Sequence, residues 1–292
     1  MDNVDYLTNR TQFVKLSSTC RSQLISSNTG APQGTVLAPF LFTLYTADCR
    51  SSEEMCPLIK FADDTALAGL IHADDEGAYL RQLQSFVEYC DSNFLQLNTS
   101  KTKEMLIDFR RTSIAPLPVV IKGEEVERVH SYKYLGVTLN DVLSWGDHVD
   151  ILMKKLNSRL YCLRKMANFN VRSVILDMFY KATICGVWRY CLVCWGGNVA
   201  KKEKDRIDGV IKRAERVIGV PQPAIDSVYQ ELLQAKLEDV WDDGSHPLHH
   251  DLHDNRIKRG VSRIRLPQLK TNRHRNSFIP RAIKLFNDAL CR

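Results

Sequence analysis

The stretch that decides the fold is residues 58–68, which read LIKFADDTALA. Apolar residues flank an acidic pair, Asp63 and Asp64, on both sides. Two apolar arms around a short polar centre are typical of a β-hairpin. The sequence therefore predicts a hairpin that carries both carboxylates at its tip.

The acidic pair has two interpretations. Carboxylates beside apolar strand residues are costly to bury, and two adjacent ones repel each other unless a cation neutralises them. A hard divalent cation such as Mg²⁺ meets both needs, as in phosphoryl-transfer centres that hold two ions about 3.5–4 Å apart. The alternative is a solvated turn, because Asp-Asp also occurs at residues 74–75 and 242–243.

A glycine-bracketed loop precedes this hairpin and leads into an apolar helix. Residues 28–35 read NTGAPQGT, with Gly30 and Gly34 on either side of Pro32 and Gln33. Such a turn lets backbone N–H groups approach a phosphate, although an ordinary loop before a helix has the same composition. The helix is predicted to be buried along one face, formed by Val36, Leu37, Phe40, Leu41, Leu44 and Tyr45.

The pattern of the chain changes near residue 141. Before it, short strands of a small sheet are predicted at residues 12–16, 105–109, 119–121 and 132–139, and a helix opens with the acidic residues 74–76. After Trp145 only helices are predicted, and Gly219 is expected to end one of them. Three apolar series at helical spacing are predicted to be buried: Leu80, Leu83, Val87 and Cys90; Leu152, Leu156, Leu160 and Leu163; and Ile207, Val210, Ile211, Ala214, Val217 and Ile218.

Composition narrows the class of protein. The chain has 292 residues, of which 44% are hydrophobic and 25% charged, and this balance suits folded domains rather than disorder. No apolar run approaches the roughly 20 residues of a membrane-spanning helix, and the acidic N-terminus differs from a signal peptide. The nine cysteines are therefore expected to be reduced thiols of an intracellular protein without a membrane partner.

The net charge of +6 conceals two unlike halves. Residues 1–150 carry 13 lysines and arginines against 20 acidic residues, a net charge of −7. Residues 151–292 carry 27 against 14, a net charge of +13. A basic half indicates a polyanion partner, and solvated basic helices are the alternative.

Four motifs follow one another in order: NTGAPQGTVLAPFLF at 28–42, FADD at 61–64, LQLNTSKTK at 95–103 and YKYLGV at 132–137. Together they resemble the reverse transcriptase of LINE-type, non-LTR retrotransposons. Further similar stretches, at residues 6–10, 161–165 and 277–280, extend the resemblance over nearly the whole chain.

The resemblance implies an α+β fold in three segments. Residues 1–140 would form a partial polymerase palm, an antiparallel sheet with packed helices. Residues 141–220 would form an α-helical thumb that grips duplex through its phosphates, and residues 221–292 a basic carboxy-terminal region.

The resemblance also implies a chemistry, which is DNA synthesis from deoxynucleoside triphosphates on an RNA template with a DNA primer. Its cofactor would be Mg²⁺ or Mn²⁺, held by the catalytic carboxylates Asp63 and Asp64. Lys101 and Lys103 would act on the pyrophosphate leaving group. The nucleotide and template pocket would comprise Gly30, Pro32, Gln33, Gly34, Phe61 and Ala62, and the primer-gripping hairpin Tyr134, Leu135 and Gly136.

The sequence also departs from the family pattern. These polymerases take a further metal-binding Asp from a strand well ahead of the glycine-rich loop, whereas only Asp2 and Asp5 precede it here, outside any apolar strand. Ala38 stands where a serine is usual. An amino-terminally truncated reverse transcriptase, inactive alone, is therefore expected. The alternatives are a non-catalytic nucleic-acid-binding remnant and a helical protein-interaction module, and no oligomeric state is predicted.

Two further clusters are candidates for binding. Cys191 and Cys194 have the spacing of zinc ligands, with His246, His249, His250 and His253 downstream. The stretch around the two cysteines is apolar and aromatic, with Tyr190 and Trp195, and this favours a buried core over a zinc site. The second cluster is a basic tail, whose charge favours nucleic-acid contact over a merely solvated surface. It comprises Arg256, Lys258, Arg259, Arg263, Arg265, Lys270, Arg273 and Arg275.

Overall fold

The computed structural model describes residues 9–27, 30–31, 34–110, 116–253 and 264–289. The chain forms two compact units, Met1–Thr99 and Ser100–Arg292. The segment limits predicted at residues 140 and 220 do not coincide with this division, and the three-segment assignment stays a prediction. Helices and short, mostly antiparallel strands make up both units.

The first unit contains two β-hairpins. Strand β1 (Arg10–Gln12) pairs with β2 (Ile25–Ser27), and β3 (Leu58–Phe61) pairs with β4 (Asp64–Leu67), both antiparallel. Of the strand predicted at residues 12–16, only Gln12 lies in a strand, where it ends β1, and the rest of the prediction is wrong. The Ser17 hydroxyl accepts the backbone N–H of Cys20 at 3.0 Å, and such local hydrogen bonds favour a turn over a strand.

The helices of the first unit are α1 (Leu37–Tyr45) and α2 (Gly77–Ser92). The predicted core face of α2 is partly confirmed, because Val87 and Cys90 are buried but Leu80 is exposed. The third buried residue of α2 is the polar Gln82. The Oε1 atom of Gln82 accepts hydrogen bonds from the loop at residues 51–53, including the Ser52 N–H at 2.8 Å.

The predicted buried face of α1 is wrong. No residue of α1 is buried, and Val36, Phe40 and Leu44 are 93%, 63% and 62% exposed. The reason is the small core of this unit, whose buried hydrophobic residues within the described ranges are Cys49, Cys56, Val87 and Cys90. Two short hairpins and one neighbouring helix offer little apolar surface to cover a second helix.

Three two-stranded ribbons open the second unit. Strand β5 (Lys103–Glu104) pairs in parallel with β8 (Glu127–Arg128). Strand β6 (Val120–Ile121) pairs antiparallel with β7 (Glu124–Glu125), and β9 (Ser131–Tyr134) with β10 (Val137–Asn140). Within the described residues, the strands therefore form five separate two-stranded sheets rather than the single small sheet that the sequence predicts.

In this region one predicted turn is confirmed and one predicted strand is wrong. The predicted turn at Lys122 and Gly123 is confirmed, with φ values of 52° and 82° that suit a tight hairpin. The strand predicted at residues 105–109 is wrong, since β5 ends at Glu104. The Asp108 carboxylate binds the Arg110 backbone N–H at 2.9 Å, a local contact that competes with strand pairing.

The rest of the described chain is helical, as predicted after Trp145. The elements are α3 (Gly146–Asn168), α4 (Ser173–Phe179), a π-helix (Tyr180–Cys185), α5 (Gly186–Trp188), α6 (Leu192–Trp195), α7 (Lys201–Ile218), α8 (Ile225–Asp242), α9 (His249–His253), α10 (Asn272–Arg275) and α11 (Phe278–Ala289). None of the helices in these described ranges is long and apolar enough to cross a bilayer.

One hydrophobic core joins these helices. The four leucines predicted on α3 are all buried, as are the predicted residues of α7 except the half-buried Val217. Trp188 and Trp195 lie fully inside this core. Gly219 ends α7 with a φ of 79°, which confirms the predicted stop. None of the eight cysteines that the structure describes forms a disulfide within the described residues.

Burial on α3 makes a stability prediction. Replacing Leu156, which is 0% exposed, with alanine is expected to lower the free energy of unfolding by about 2–5 kcal/mol, because it leaves a cavity. Ile151→Ala on the same helix is the control, since Ile151 is 41% exposed, and it is expected to cost much less. Urea unfolding followed by circular dichroism measures both, and equal losses would contradict this packing.

Candidate functional site

The acidic hairpin has the predicted geometry. Strands β3 and β4 pair with Phe61 opposite Asp64, so that Ala62 and Asp63 form a two-residue turn. Ala62 adopts a left-handed backbone with a φ of 52°, which a tight hairpin of this length requires. Asp63 and Asp64 are therefore adjacent at the tip, as the sequence predicts.

The surroundings of the tip differ from the prediction. The sequence predicts carboxylates in a semi-buried hairpin, but Asp63 and Asp64 are both exposed. The flanking Ile59 and Phe61 are 51% and 62% exposed, because nothing covers their face of this two-stranded ribbon within the described residues, whereas Leu58 and Lys60 on the other face are half-buried. Water therefore solvates both carboxylates, so no cation is needed to offset a cost of burying them.

The tip offers part of a metal site. Its two carboxylates are hard oxygen ligands of the kind that Mg²⁺ prefers. No group of three or more histidine, cysteine, aspartate or glutamate side chains with metal-ligand geometry occurs among the described residues. These residues therefore do not fit a complete two-metal centre, and Asp63 and Asp64 would contribute one side of it.

The glycine-rich loop at residues 28–35 is described at residues 30–31 and 34–35. Gly30 and Gly34 have φ values of 66° and 80°, and both are exposed. An Arg10 guanidinium N–H donates to the Gly30 carbonyl oxygen at 2.6 Å, which ties β1 to the loop. Pro32 and Gln33, predicted to line the nucleotide pocket, lie outside the described residues.

The predicted catalytic lysines lie in the second unit, whereas the acidic tip lies in the first. Lys101 is exposed. Lys103 belongs to β5, and its Nζ contacts the Glu127 carboxylate at 2.5 Å and the Ser100 carbonyl oxygen at 3.1 Å. A carboxylate of the neighbouring strand therefore neutralises Lys103 in this structure.

The hairpin predicted to grip the primer packs against a tyrosine. Leu135 and Gly136 form the turn between β9 and β10, with φ values of 45° and 87°. The Tyr190 hydroxyl donates to the Leu135 carbonyl oxygen at 2.7 Å. The Tyr134 hydroxyl is buried and has no hydrogen-bond partner among the residues that the structure describes. Sequence reasoning assigned Tyr190 to an apolar core and missed this contact, which no spacing pattern encodes.

A groove of about 370 Å³ runs beside this hairpin. Its lining residues include Lys133 and Lys155, which supply positive charge, and His148 and Tyr190. The His148 Nδ1 accepts the Thr138 backbone N–H at 3.3 Å, so this nitrogen carries no proton. Burial lowers the pKa of His148, and the charge of Lys155 lowers it further. The charge of the groove at neutral pH therefore comes from its lysines.

Helix α3 extends this positive charge. Between Asp150 and the end of the helix at Asn168 there is no acidic residue. The exposed basic residues of this stretch, called here the α3 basic face, are Lys154, Lys155, Arg164 and Lys165. The Lys165 ammonium lies 5.5 Å from the centre of the Tyr161 ring. Exposed lysine and arginine next to an aromatic ring suit contact with a nucleic-acid backbone.

The other two candidate clusters are described in part. Cys191 and Cys194 share one turn, in which the Cys194 N–H donates to the Cys191 carbonyl oxygen at 2.9 Å, and no third metal ligand accompanies them within the described ranges. In the basic tail, Arg273 lies 4.2 Å from the Phe109 ring centre and donates to the Val142 carbonyl oxygen. This arginine therefore has a structural role, whereas residues 256–263 of the tail lie outside the described ranges.

An acidic pair on a tight hairpin turn, behind a glycine-rich loop and an apolar helix, is the arrangement expected for a nucleotidyl-transferring polymerase. Residues 4–139 match the family described as reverse transcriptase (RNA-dependent DNA polymerase). This match and the similarity to polymerases of insect transposons support a LINE-type reverse transcriptase domain in that region.

The relatives are encoded by insect transposons. The chain is 29% identical over 202 residues to the probable RNA-directed DNA polymerase from transposon BS of Drosophila melanogaster, a match that covers 65% of this chain and 22% of that protein. It is 25% identical to the probable polymerase from transposon X-element of the same species, over 87% of this chain and 29% of that protein.

A third relative is the RNA-directed DNA polymerase from mobile element jockey of Drosophila funebris. It is 28% identical over 51% of this chain and 17% of its own length. The chain thus spans less than a third of each of these curated relatives. No solved structure matches it.

The Leu135–Gly136 turn makes a second stability prediction. Gly136 has a φ of 87°, and an added Cβ would lie 3.1 Å from the Tyr190 ring. Gly136→Ala is expected to lower the free energy of unfolding by about 1–3 kcal/mol through backbone strain. Gly209→Ala inside α7 is the control, because nothing lies within 4 Å of its added Cβ, and it is expected to raise stability by up to about 1 kcal/mol. Thermal unfolding of both variants measures the difference, and a stabilised Gly136→Ala protein would contradict the turn geometry.

Proposed function

We propose that this chain carries the catalytic hairpin of an RNA-directed DNA polymerase. The reaction is DNA synthesis from deoxynucleoside triphosphates on an RNA template with a DNA primer, and Asp63 and Asp64 are ligands of Mg²⁺ or Mn²⁺. The observation that supports this proposal is the acidic pair at the β3–β4 turn, inside the region that matches the family.

The proposal assigns roles to both units. Residues 1–140 act as part of a palm, 141–220 as a thumb and 221–292 as a basic carboxy-terminal region. Gly30, Gly34, Phe61 and Ala62 lie on the loop and hairpin that would face template and nucleotide, and the β9–β10 turn would face the primer. The exposure of Ile59 and Phe61 supports this assignment, because a nucleotide pocket needs accessible apolar surface.

The α3 basic face supports a role in duplex binding. Its Lys155 lines the groove next to the β9–β10 hairpin, and no acidic residue of α3 follows Asp150. Contacts to phosphates position a duplex without reading its sequence. We therefore expect this face to bind primer–template duplex along its backbone.

A second candidate function is duplex binding without catalysis by the 292-residue polypeptide. Two observations favour it for the polypeptide taken by itself. Within the described residues, Asp63 and Asp64 have no third metal ligand nearby, and Lys103 is paired with Glu127. Binding through the α3 basic face requires neither metal nor catalysis.

Duplex binding is expected to depend on salt. Replacing Lys154, Lys155 and Lys165 with alanine should weaken binding of an RNA–DNA duplex and reduce the slope of log affinity against log salt by about one for each lost phosphate contact. Fluorescence anisotropy across a salt series measures both quantities. The control removes the same charge from α7 with alanine at Lys201, Lys202 and Lys212.

Comparing the two triple variants shows whether duplex binding depends on where the lysines lie or only on the net charge of the protein. A smaller slope in the α3 variant alone supports the α3 basic face as the contact surface. Equal reductions of the slope in both variants would mean that only the net charge of the protein matters. Binding of the wild-type chain that does not change with salt would contradict a phosphate-binding role and would favour a helical module that binds protein.

Catalysis is tested by transplanting the hairpin region. A chimera in which residues 4–139 replace the corresponding part of the jockey polymerase is expected to extend a primer on RNA, because the relative supplies the rest of the ligand set. Asp63→Ala in the chimera should reduce extension to background. The isolated 292-residue polypeptide is expected to give no extension under the same conditions.

The control for the chimera is Asp74→Ala, a substitution at another Asp-Asp pair that should leave extension intact. A folded, duplex-binding chimera without extension would refute the catalytic hairpin. Extension by the isolated polypeptide that Asp63→Ala abolishes would refute the claim that its carboxylates are insufficient alone.

A further inference from the structure

Cys191 and Cys194 are held close together by the backbone. The Cys194 N–H donates to the Cys191 carbonyl oxygen at 2.9 Å, and Cys191 has a left-handed backbone with φ 50° and ψ 25°. Turns of this kind bring the two Cα atoms to within about 7 Å, and disulfides join Cα atoms about 4.4–6.8 Å apart. The chain therefore already places both cysteines at bridging distance.

The two cysteines differ in their access to solvent. Neighbouring atoms that displace water raise the pKa of Cys194, and the nearby Cys191 raises it further. Cys194 is exposed at the surface and Cys191 is half-buried. An oxidant from solution can therefore reach Cys194, and Cys191 lies in the same turn.

The surrounding contacts fix the turn in place. The Trp195 indole N–H donates to the Tyr190 carbonyl oxygen at 3.0 Å, and the Leu192 N–H donates to the Arg189 carbonyl oxygen at 3.1 Å. On the far side, a Cβ on Gly196 would lie 2.7 Å from the Leu192 carbonyl oxygen. A bridge between the cysteines would therefore form across a turn whose backbone is already held in place.

We propose that Cys191 and Cys194 form a redox-active dithiol that small-molecule disulfides, such as oxidised glutathione, convert to an intramolecular disulfide. This chemistry is independent of nucleic-acid binding and of polymerisation. Disulfides that form transiently in reducing compartments are typically redox-sensing or catalytic. The site therefore gives the chain a reversible modification beside Tyr190, the residue that holds the β9–β10 turn.

The reaction proceeds in two exchanges. The Cys194 thiolate attacks one sulfur of oxidised glutathione, and the first glutathione thiolate leaves and takes up the proton that Cys194 released. The Cys191 thiolate then attacks the Cys194 sulfur of the mixed disulfide and releases the second glutathione, which takes up the Cys191 proton. The two cysteines lose two electrons and two protons in total, and one molecule of oxidised glutathione becomes two of the thiol.

Peptide mapping of the full chain tests this proposal. The reduced protein is treated with oxidised glutathione in the presence of EDTA, alkylated with iodoacetamide and digested with trypsin. Cleavage after Arg189 and Lys201 places both cysteines in one peptide, residues 190–201. The expected product is this peptide without alkylation and lighter by two hydrogen atoms. Mildly alkaline buffer favours the exchange, because only the thiolate attacks.

The same sample contains an internal reference. Cys162 is exposed on α3, so the oxidant concentration is raised until Cys162 carries glutathione. The Cys191→Ser and Cys194→Ser variants should lose the bridged peptide and retain glutathione on the remaining cysteine. Cys162→Ser should leave the bridge intact.

Two results would overturn the dithiol. One is a wild-type peptide 190–201 that stays fully alkylated while Cys162 is fully modified. The other is a wild-type peptide with glutathione on one cysteine and no bridge at that oxidant concentration. Both readouts come from the wild-type chain, so the test does not depend on whether a serine variant folds.

Discussion

A hydrogen bond from the Trp195 indole to the Tyr190 carbonyl oxygen links the helical core of the second unit to its β9–β10 hairpin. Trp195 is fully buried, so a missing partner for its N–H would cost a substantial fraction of the stability of the unit. The bond fixes Tyr190, whose hydroxyl holds the Leu135 carbonyl oxygen at the β9–β10 turn. A buried indole thus positions a surface hairpin through one intermediate side chain.

The two units differ in how their apolar residues are used. In the second unit, helices share one core that extends from Val137 to Ile283. In the described part of the first, few hydrophobic residues are buried and α1 lies exposed. The candidate catalytic hairpin lies in the unit with the smaller core, and the candidate duplex-binding helix lies in the unit with the larger one. Duplex binding therefore has the more rigid support of the two proposed roles.

Sequence periodicity predicted the elements in which burial and pattern agree. The leucines of α3 and the stop at Gly219 followed from spacing and from glycine chemistry, and the Asp63–Asp64 tip followed from its apolar flanks. The α1 face was mispredicted, because periodicity shows which side of a helix is apolar but not whether a partner covers it. The prediction of a strand at 105–109 was wrong because the Asp108 side chain binds the nearby backbone N–H of Arg110. Tyr190 was missed because its contact joins residues 55 positions apart.

The ion pair between Lys103 and Glu127 has a consequence for any triphosphate that arrives there. Lys103 is 24% exposed and Glu127 66% exposed in their side chains, and ion pairs so close to water contribute only about 0–1 kcal/mol. A phosphate oxygen can replace the glutamate by counter-ion exchange at little net cost. The glutamate then acts as a resident competitor, which favours multiply charged anions over singly charged ones.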